Sequence, residues 1–237
     1  MGMALHAVVV SDLGLLRPNN EDAAFAGSRV IAVADGIGGG PHGEVASRIA
    51  IRALAKLDDF GKGDSTEAMR TAVESANVEI RDVVHDDPAS EGMGTTVTAI
   101  LFGDDEAVLL HIGDSRGYLL RGDELHRLTR DDTYVQGLVD DGLITAEQAR
   151  HHPHKSLITA SLQGRSFSAS LTGIEARPGD RYLLCSDGLS DIVTDEAILE
   201  VLRSISEPQV CAERLVKLAL QAGAPDNVTV VVANLEQ

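Results

Sequence analysis

Four aspartates share one setting in this sequence. Asp35 follows the apolar run VIAVA, Asp114 follows AVLLHIG, Asp187 follows RYLLCS, and Asp226 stands immediately before NVTVVVANL. Taken singly, an Asp beside Gly, Ser, Pro or Asn reads as a turn residue. Asp141-Gly142, between two polar helical pieces, reads as only that. The apolar strand next to each of the four holds its carboxylate at the edge of a core, where an unpaired charge is costly. Carboxylates gathered there call for a cation, and an all-oxygen ligand set selects a hard ion, Mg2+ or Mn2+. A fifth group, RPNNED, sets Arg17 ahead of the acid pair Glu21 and Asp22. The bland reading is a surface ion pair; the chemical one is a planar guanidinium placed to hold the nonbridging oxygens of a phosphoester beside a metal site.

The elements that must position these residues follow from hydrophobic periodicity. Strands are predicted over 4–10, 30–34, 95–102, 107–112, 117–120, 168–174, 182–185 and 228–235, and helices over 43–57, 66–84, 133–140, 146–151, 195–204 and 209–221. Two consecutive helices follow the second strand, and three strands with short Gly-containing turns such as LRGDEL come next. That order is hairpin chemistry and not strict β-α-β alternation, so antiparallel sheets with helices packed outside are expected. The stretch 129–164 interrupts the strands with short helices and the polar HHPHKS, and reads as an inserted subdomain near the surface. No composition shift marks a linker, so residues 1–237 are taken as one domain.

The balance of charges narrows the partners. A net charge of −17 with 20 Lys+Arg spread along the chain forms no basic patch for a nucleic-acid backbone or an anionic membrane. Cys185 and Cys211 lie far apart and in no CxxC arrangement, which suits a reducing compartment without disulfides or a thiolate zinc site. The opening MGMALHAVVVSD lacks a cationic leader region, position six is His6 where an acylation signal wants Ser or Thr, and no window approaches the length of a membrane span. A cytoplasmic location is the expectation.

Three short motifs invite other chemistry. GGGPHG at 38–43 fits a dinucleotide fingerprint, but a second helix follows where a parallel strand belongs, and Pro41 removes a backbone N–H that a phosphate would use. GDSRG at 113–117 fits a nucleophile elbow at Ser115, yet the chain continues as strand and turn where the elbow needs a helix. HHPH at 151–154 has no helical ligand spacing and is broken by Pro153, so it reads as surface structure rather than a zinc site.

The residues resemble the metal-dependent serine/threonine protein phosphatases (PPM, type 2C), particularly the compact bacterial members. The matching blocks are RPNNED, VADGIGG, GEVAS, EGMGTTVTAILF, HIGDSRGYLLR, LTRDD, GLITAEQARHHP, GDRYLLCSDGLSD and APDNVTVVVA, in the family's order from residue 11 to residue 235. The resemblance implies an α+β fold of four layers (αββα), a β-sandwich of two antiparallel sheets flanked by helices, with a flap at about 129–164 and a metal centre at one end. It implies that Asp35 serves two Mn2+ or Mg2+ ions, with Glu21 and the Gly36 carbonyl on one and Asp187 and Asp226 on the other. Asp22 would hold water, Asp114 and Asp191 with Asp187 would form a third-metal site, and Arg17 would hold the substrate phosphate. The implied reaction is hydrolysis of phosphoserine and phosphothreonine in proteins by a metal-bridging water, opposing serine/threonine kinases. Ser115 is then a bystander.

Two departures bear on proton transfer. Position 37 is Ile, an alkyl group where relatives carry Met or His, and position 40 is Gly, with His42 two residues on. Protonation of the leaving group falls to water or to His42. The rivals are a catalytically impaired adaptor and a serine hydrolase; the complete set of acids argues against the first, and the missing helix against the second.

Overall fold

The run Val30–Ala34 is apolar throughout because both of its faces are covered. Val30, Ala32 and Ala34 pack beneath helices, while Ile31 and Val33 point into the space between two sheets. The same division recurs in the last strand, where Val228, Val230 and Val232 face helices and Val231, Ala233 and Leu235 face the opposite sheet. Alternating side chains of a strand buried on both sides leave no polar position, so the run reads as continuous rather than alternating.

A computed structural model describes residues 3–37, 42–61, 63–103 and 106–237. The first sheet has the order β1-β10-β9-β6-β7, from Ala4–Asp12 (β1), Val228–Glu236 (β10), Arg181–Cys185 (β9), Arg116–Arg121 (β6) and Glu124–Arg127 (β7). The second has the order β2-β3-β4-β5-β8, from Asp22–Ala26 (β2), Val30–Asp35 (β3), Val97–Phe102 (β4), Glu106–Ile112 (β5) and Ser170–Glu175 (β8). Every pairing is antiparallel. Helices α1 (Gly43–Ala55) and α2 (Ser65–Asp86) cover the second sheet through Ile49, Leu54, Met69 and Ile80. Helices α6 (Asp195–Ser204) and α7 (Pro208–Gln221) cover the first through Ile198, Leu202 and Leu215. Ile31, Ile100, Leu109, Tyr182, Leu184 and Val231 fill the space between the sheets. The four layers expected from the sequence are therefore present.

Two strands were not expected. β2 is DAAFA, rich in alanine and weak in β propensity, and β7 is a four-residue strand, ELHR, completed by its turn. The insertion between β7 and β8 carries α3 (Tyr134–Asp140) and α4 (Ala146–Arg150), with Thr145 and Gln148 forming a capping box on α4. Its base is pinned by bridges between Thr133 and Ile158 and between Thr95 and Leu162.

Asp58 ties the connection after α1 to the β2–β3 turn. It accepts the backbone N–H groups of Arg29 at 2.7 Å and Val30 at 3.1 Å, and the Ser28 hydroxyl at 3.1 Å. Burial alone would raise its carboxyl, but these donors outweigh it and hold the group below the ordinary 3.8. A depressed folded value means that the stability is complete above the unfolded value and is lost as pH falls through the folded one. Asp58→Asn is expected to cost about 1 kcal/mol at neutral pH. Parallel denaturant titrations should show the gap to the parent closing as pH is lowered below about 4.

Candidate metal centre

Each acid owes its place to a strand end. Asp35 is the last residue of β3 and lies in register with Asp22, the first of β2. β9 ends at Cys185, and Asp187 opens the short helical turn α5 (Asp187–Ser190) two residues later. Asp226 leads into β10, which lies beside β9, and Asp114 follows β5 by two residues. Ends from both sheets thus arrive at one end of the sandwich. The chain leaves β3 through Gly36, whose N–H donates to the Glu21 carbonyl at 3.1 Å. A Cβ at Gly36 would lie 2.5 Å from the Gly43 backbone and 2.7 Å from the Glu21 carbonyl oxygen, so only glycine lets β2, β3 and α1 meet here.

Side chains that carry no charge hold the acids in place. Asp35 donates its N–H to the Thr96 hydroxyl at 3.0 Å, and its carbonyl accepts the Thr95 hydroxyl at 2.9 Å. Ser186 donates to Asp22 Oδ2 at 2.8 Å, and Ser47 donates to the Glu21 carbonyl at 2.6 Å. Asn227 is buried, accepts the Glu21 N–H at 2.9 Å, and donates to the carbonyls of Leu13 and Asn19 at 2.9 and 3.0 Å.

The electrostatics of this arrangement are unfavourable for anions. Burial, then repulsion by Asp22, Asp187, Asp114 and Asp226, raises the Asp35 carboxyl well above its ordinary value. Burial and then Asp114, Asp191, Asp226 and Asp22 do the same to Asp187. Asp114 is pushed up to about 7 by burial and by Asp131 and Asp191, and Asp22 to about 6 by burial, against hydroxyl bonds that include Ser186. Asp35 and Asp187 still keep some solvent-accessible area, as groups on the floor of a cleft do.

Among the described residues no three of these side chains close into a finished ligand cage. Glu21 Oε2, Asp22 Oδ1 and Asp187 Oδ1 are nevertheless buried without a hydrogen-bond partner. Orphaned carboxylate oxygens in a donor set with no thiolate or imidazole fit a hard divalent cation.

The structure brings Glu21, Asp22, Asp35, Gly36, Asp114, Asp187, Asp191 and Asp226 to this one end. Arg17 stands at the rim, its Nη2 donating to Asp226 Oδ2 at 2.6 Å, and Lys155 of the insertion pairs with Asp191 at 2.7 Å. His42 caps α1 in a left-handed conformation, φ 85°, without a side-chain hydrogen bond to the helix end. Among the described residues no hydrogen bond joins its imidazole to the acids. Ile37 donates its N–H to the Gly94 carbonyl at 2.9 Å, whereas Gly40 lies outside the described residues. Ser115 is fully buried, its hydroxyl bonded to that of Thr96 at 2.8 Å, and β6 follows it, so the nucleophile elbow is absent. Residues 38–41 of the GGGPHG motif lie outside the described residues, and the next described strand after α1, β4, pairs antiparallel with β3, so the dinucleotide reading falls. Of the HHPH run, His151 pairs with Glu147 at 3.1 Å, and the half-buried His152 and exposed His154 rings pack near Tyr134. Asn227 and Lys155 were not expected as supports of the site; the single signal for Asn227 is its place between Asp226 and an apolar strand.

The sequence pattern of the protein phosphatase 2C family matches residues 18–220. The serine/threonine protein phosphatase PstP of Mycobacterium tuberculosis is 55% identical over 234 residues, 98% of this chain and 45% of its own length, so the chain spans about half of that relative. The protein phosphatase PhpP of Streptococcus pneumoniae is 34% identical over 239 residues, with 97% of each protein covered. The crystal structure of the catalytic domain of PstP in complex with two manganese ions superposes with a TM-score of 0.94 at 53% identity, covering 99% of this chain and all of that one.

Repulsion among the acids makes a definite thermal prediction. A cation that binds only the folded state adds about 2.7 kcal/mol of stability at a hundredfold excess over Kd. Mn2+ at millimolar concentration should therefore raise Tm. Asp187→Asn should melt higher than the parent in EDTA, because one buried anion is gone, and should lose most of the Mn2+ shift. Calorimetry with and without Mn2+ reads both effects; a parent unmoved by Mn2+ overturns the assignment.

Proposed function

The chain belongs to the protein phosphatase 2C family, and from that premise we propose that it hydrolyses phosphoserine and phosphothreonine in proteins with Mn2+ or Mg2+. The observation that carries this reading is the set of buried, partnerless carboxylate oxygens on Glu21, Asp22 and Asp187 beneath a guanidinium at the rim. Glu21, Asp35 and the Gly36 carbonyl would hold one cation, and Asp35, Asp187 and Asp226 another. Asp22, bonded to Ser186, would fix water beside them, and Asp114 with Asp187 and Asp191 would take a third ion. Such ions, when bound, acidify water and offset charge growing on the phosphoryl oxygens.

The protein's own groups do the rest. Arg17 supplies a fork of donors for two phosphoryl oxygens, and its bond to Asp226 fixes the direction from which they are gripped. The uncharged partners Thr95, Thr96, Ser47, Asn227 and Ser186 keep the carboxylates from moving apart, so little reorganisation is needed when charge develops. Ile37 cannot donate a proton, and the leaving oxygen takes its proton from solvent rather than from His42.

Among the described residues no helix is long and apolar enough to cross a membrane. We place the domain in the cytoplasm, where it would reverse the action of serine/threonine kinases on phosphoprotein substrates. The names of PstP and PhpP support the substrate class.

Phosphate release from a phosphothreonine peptide should require Mn2+, stop in EDTA, and fall by at least about a hundredfold in Asp187→Asn. Cation binding without release would turn the reading to an adaptor that grips phosphoproteins without hydrolysing them. His42→Ala should slow turnover by less than about threefold, since general acids contribute about 10^2-fold or more. A larger loss, with a changed pH profile, assigns His42 the proton.

A further inference from the structure

Among the described residues nine large hydrophobic side chains are exposed, and three of them, Leu13, Leu15 and Leu16, lie within the four positions before Arg17, at 41, 59 and 76% exposure. A solvated leucine forgoes the stabilisation of burial, and a contiguous apolar patch marks a contact surface more often than chance. These leucines are also fastened. Gly14 has φ +73°, and a Cβ there would fall 1.9 Å from the Asp226 carbonyl oxygen, so the backbone lies flat against the segment that carries Asp226. Leu15 donates its N–H to the Ala224 carbonyl at 3.0 Å, Asn227 donates to the Leu13 carbonyl at 2.9 Å, and Gly14 donates to Asp12 at 2.9 Å. One segment, 224–227, therefore holds both the leucines and, through Asp226, the Arg17 guanidinium.

We propose that Leu15 and Leu16 form an apolar ledge that receives the side chain directly flanking the phosphorylated residue, so that substrates with an aliphatic neighbour are preferred. This rests on the phosphatase reading and names its substrate class. Leu16 is covalently next to Arg17, and consecutive residues of an extended peptide are about 3.3 Å apart. A phosphoresidue whose oxygens reach Arg17 thus carries its neighbour over the ledge. An aliphatic neighbour gains contact with the leucines there, and a polar or charged one loses hydration against them. Self-association through the same patch works against the chain's net charge of −17.

The test compares the parent with Leu15→Ser/Leu16→Ser on Mn2+-loaded protein. The substrates are phosphothreonine peptides that differ only in having Leu, Ser or Asp before or after the phosphoresidue, and para-nitrophenyl phosphate, which has no flanking residue. The parent should favour Leu over Ser at one flank by about tenfold in kcat/KM, the size expected from burying one aliphatic side chain. The double variant should lose that preference and retain hydrolysis of para-nitrophenyl phosphate and the parent's Tm. Turnover of every peptide with no flank preference, or with one that survives the double substitution, overturns the ledge and leaves the phosphatase reading intact. Absence of turnover on all phosphomonoesters overturns that reading and the ledge with it. A parent that sediments as a dimer, and a variant that does not, overturns the ledge in favour of self-association.

Discussion

Mutual repulsion among carboxylates held in one cleft is the constraint on which the rest of the structure depends. Burial raises the proton affinity of Asp22, Asp35, Asp114 and Asp187, and repulsion from neighbouring acids adds to it. Left to themselves these groups would separate into water. They stay because each is fixed to the end of an element whose other side chains are committed to the core, and moving the acid means moving the strand. Neutral side chains such as Thr96, Ser186 and Asn227 hydrogen-bond the backbone and carboxylate groups without cancelling the charge. The cationic side chains Arg17 and Lys155 sit at the margin, each with one carboxylate, so the central anions remain available to a divalent ion.

The parts legible in the sequence were those with one dominant cause. Strands covered on both faces read as unbroken apolar runs, and Asp35, Asp114, Asp187 and Asp226 announced themselves by standing where those runs stop or, for Asp226, start. β2 was missed because its alanines carry no strand signal; it exists because Ala23–Ala26 pair with β3. Supports that depend on distant parts of the chain were equally silent. Nothing in APDNV distinguishes an Asn that stitches Leu13, Asn19 and Glu21 together from one that merely turns the chain. The resemblance assigned roles to individual acids, which the strand-end argument by itself did not.

The insertion is joined to the centre more closely than its surface position suggests. Thr95 pairs with Leu162 at its base and bonds through its hydroxyl to the Asp35 carbonyl, and Lys155 reaches back to Asp191. At its other end, Asp132 accepts the Gly113 N–H one residue before Asp114, while Arg116 and Arg127 converge on the neighbouring Asp131. Displacement of the insertion therefore bears on the backbone beside Asp35 and Asp114 and on the carboxylate of Asp191.

Pairing of the first strand with the last has a consequence for the order in which the molecule is made. β1 is an edge strand whose single in-sheet neighbour is β10, and Arg17 meets Asp226 across 209 positions of sequence. Contacts of such separation close late, since the loop entropy must be met before they reward it. On the ribosome, β1 and the segment from Leu13 to Glu21 emerge well before Asp226 and wait without their partners until the region around it has been synthesised. A nascent chain thus holds Glu21, Asp35 and Asp114 well before Arg17 and the leucines have anything to rest on, and the site is completed only as β10 is laid down.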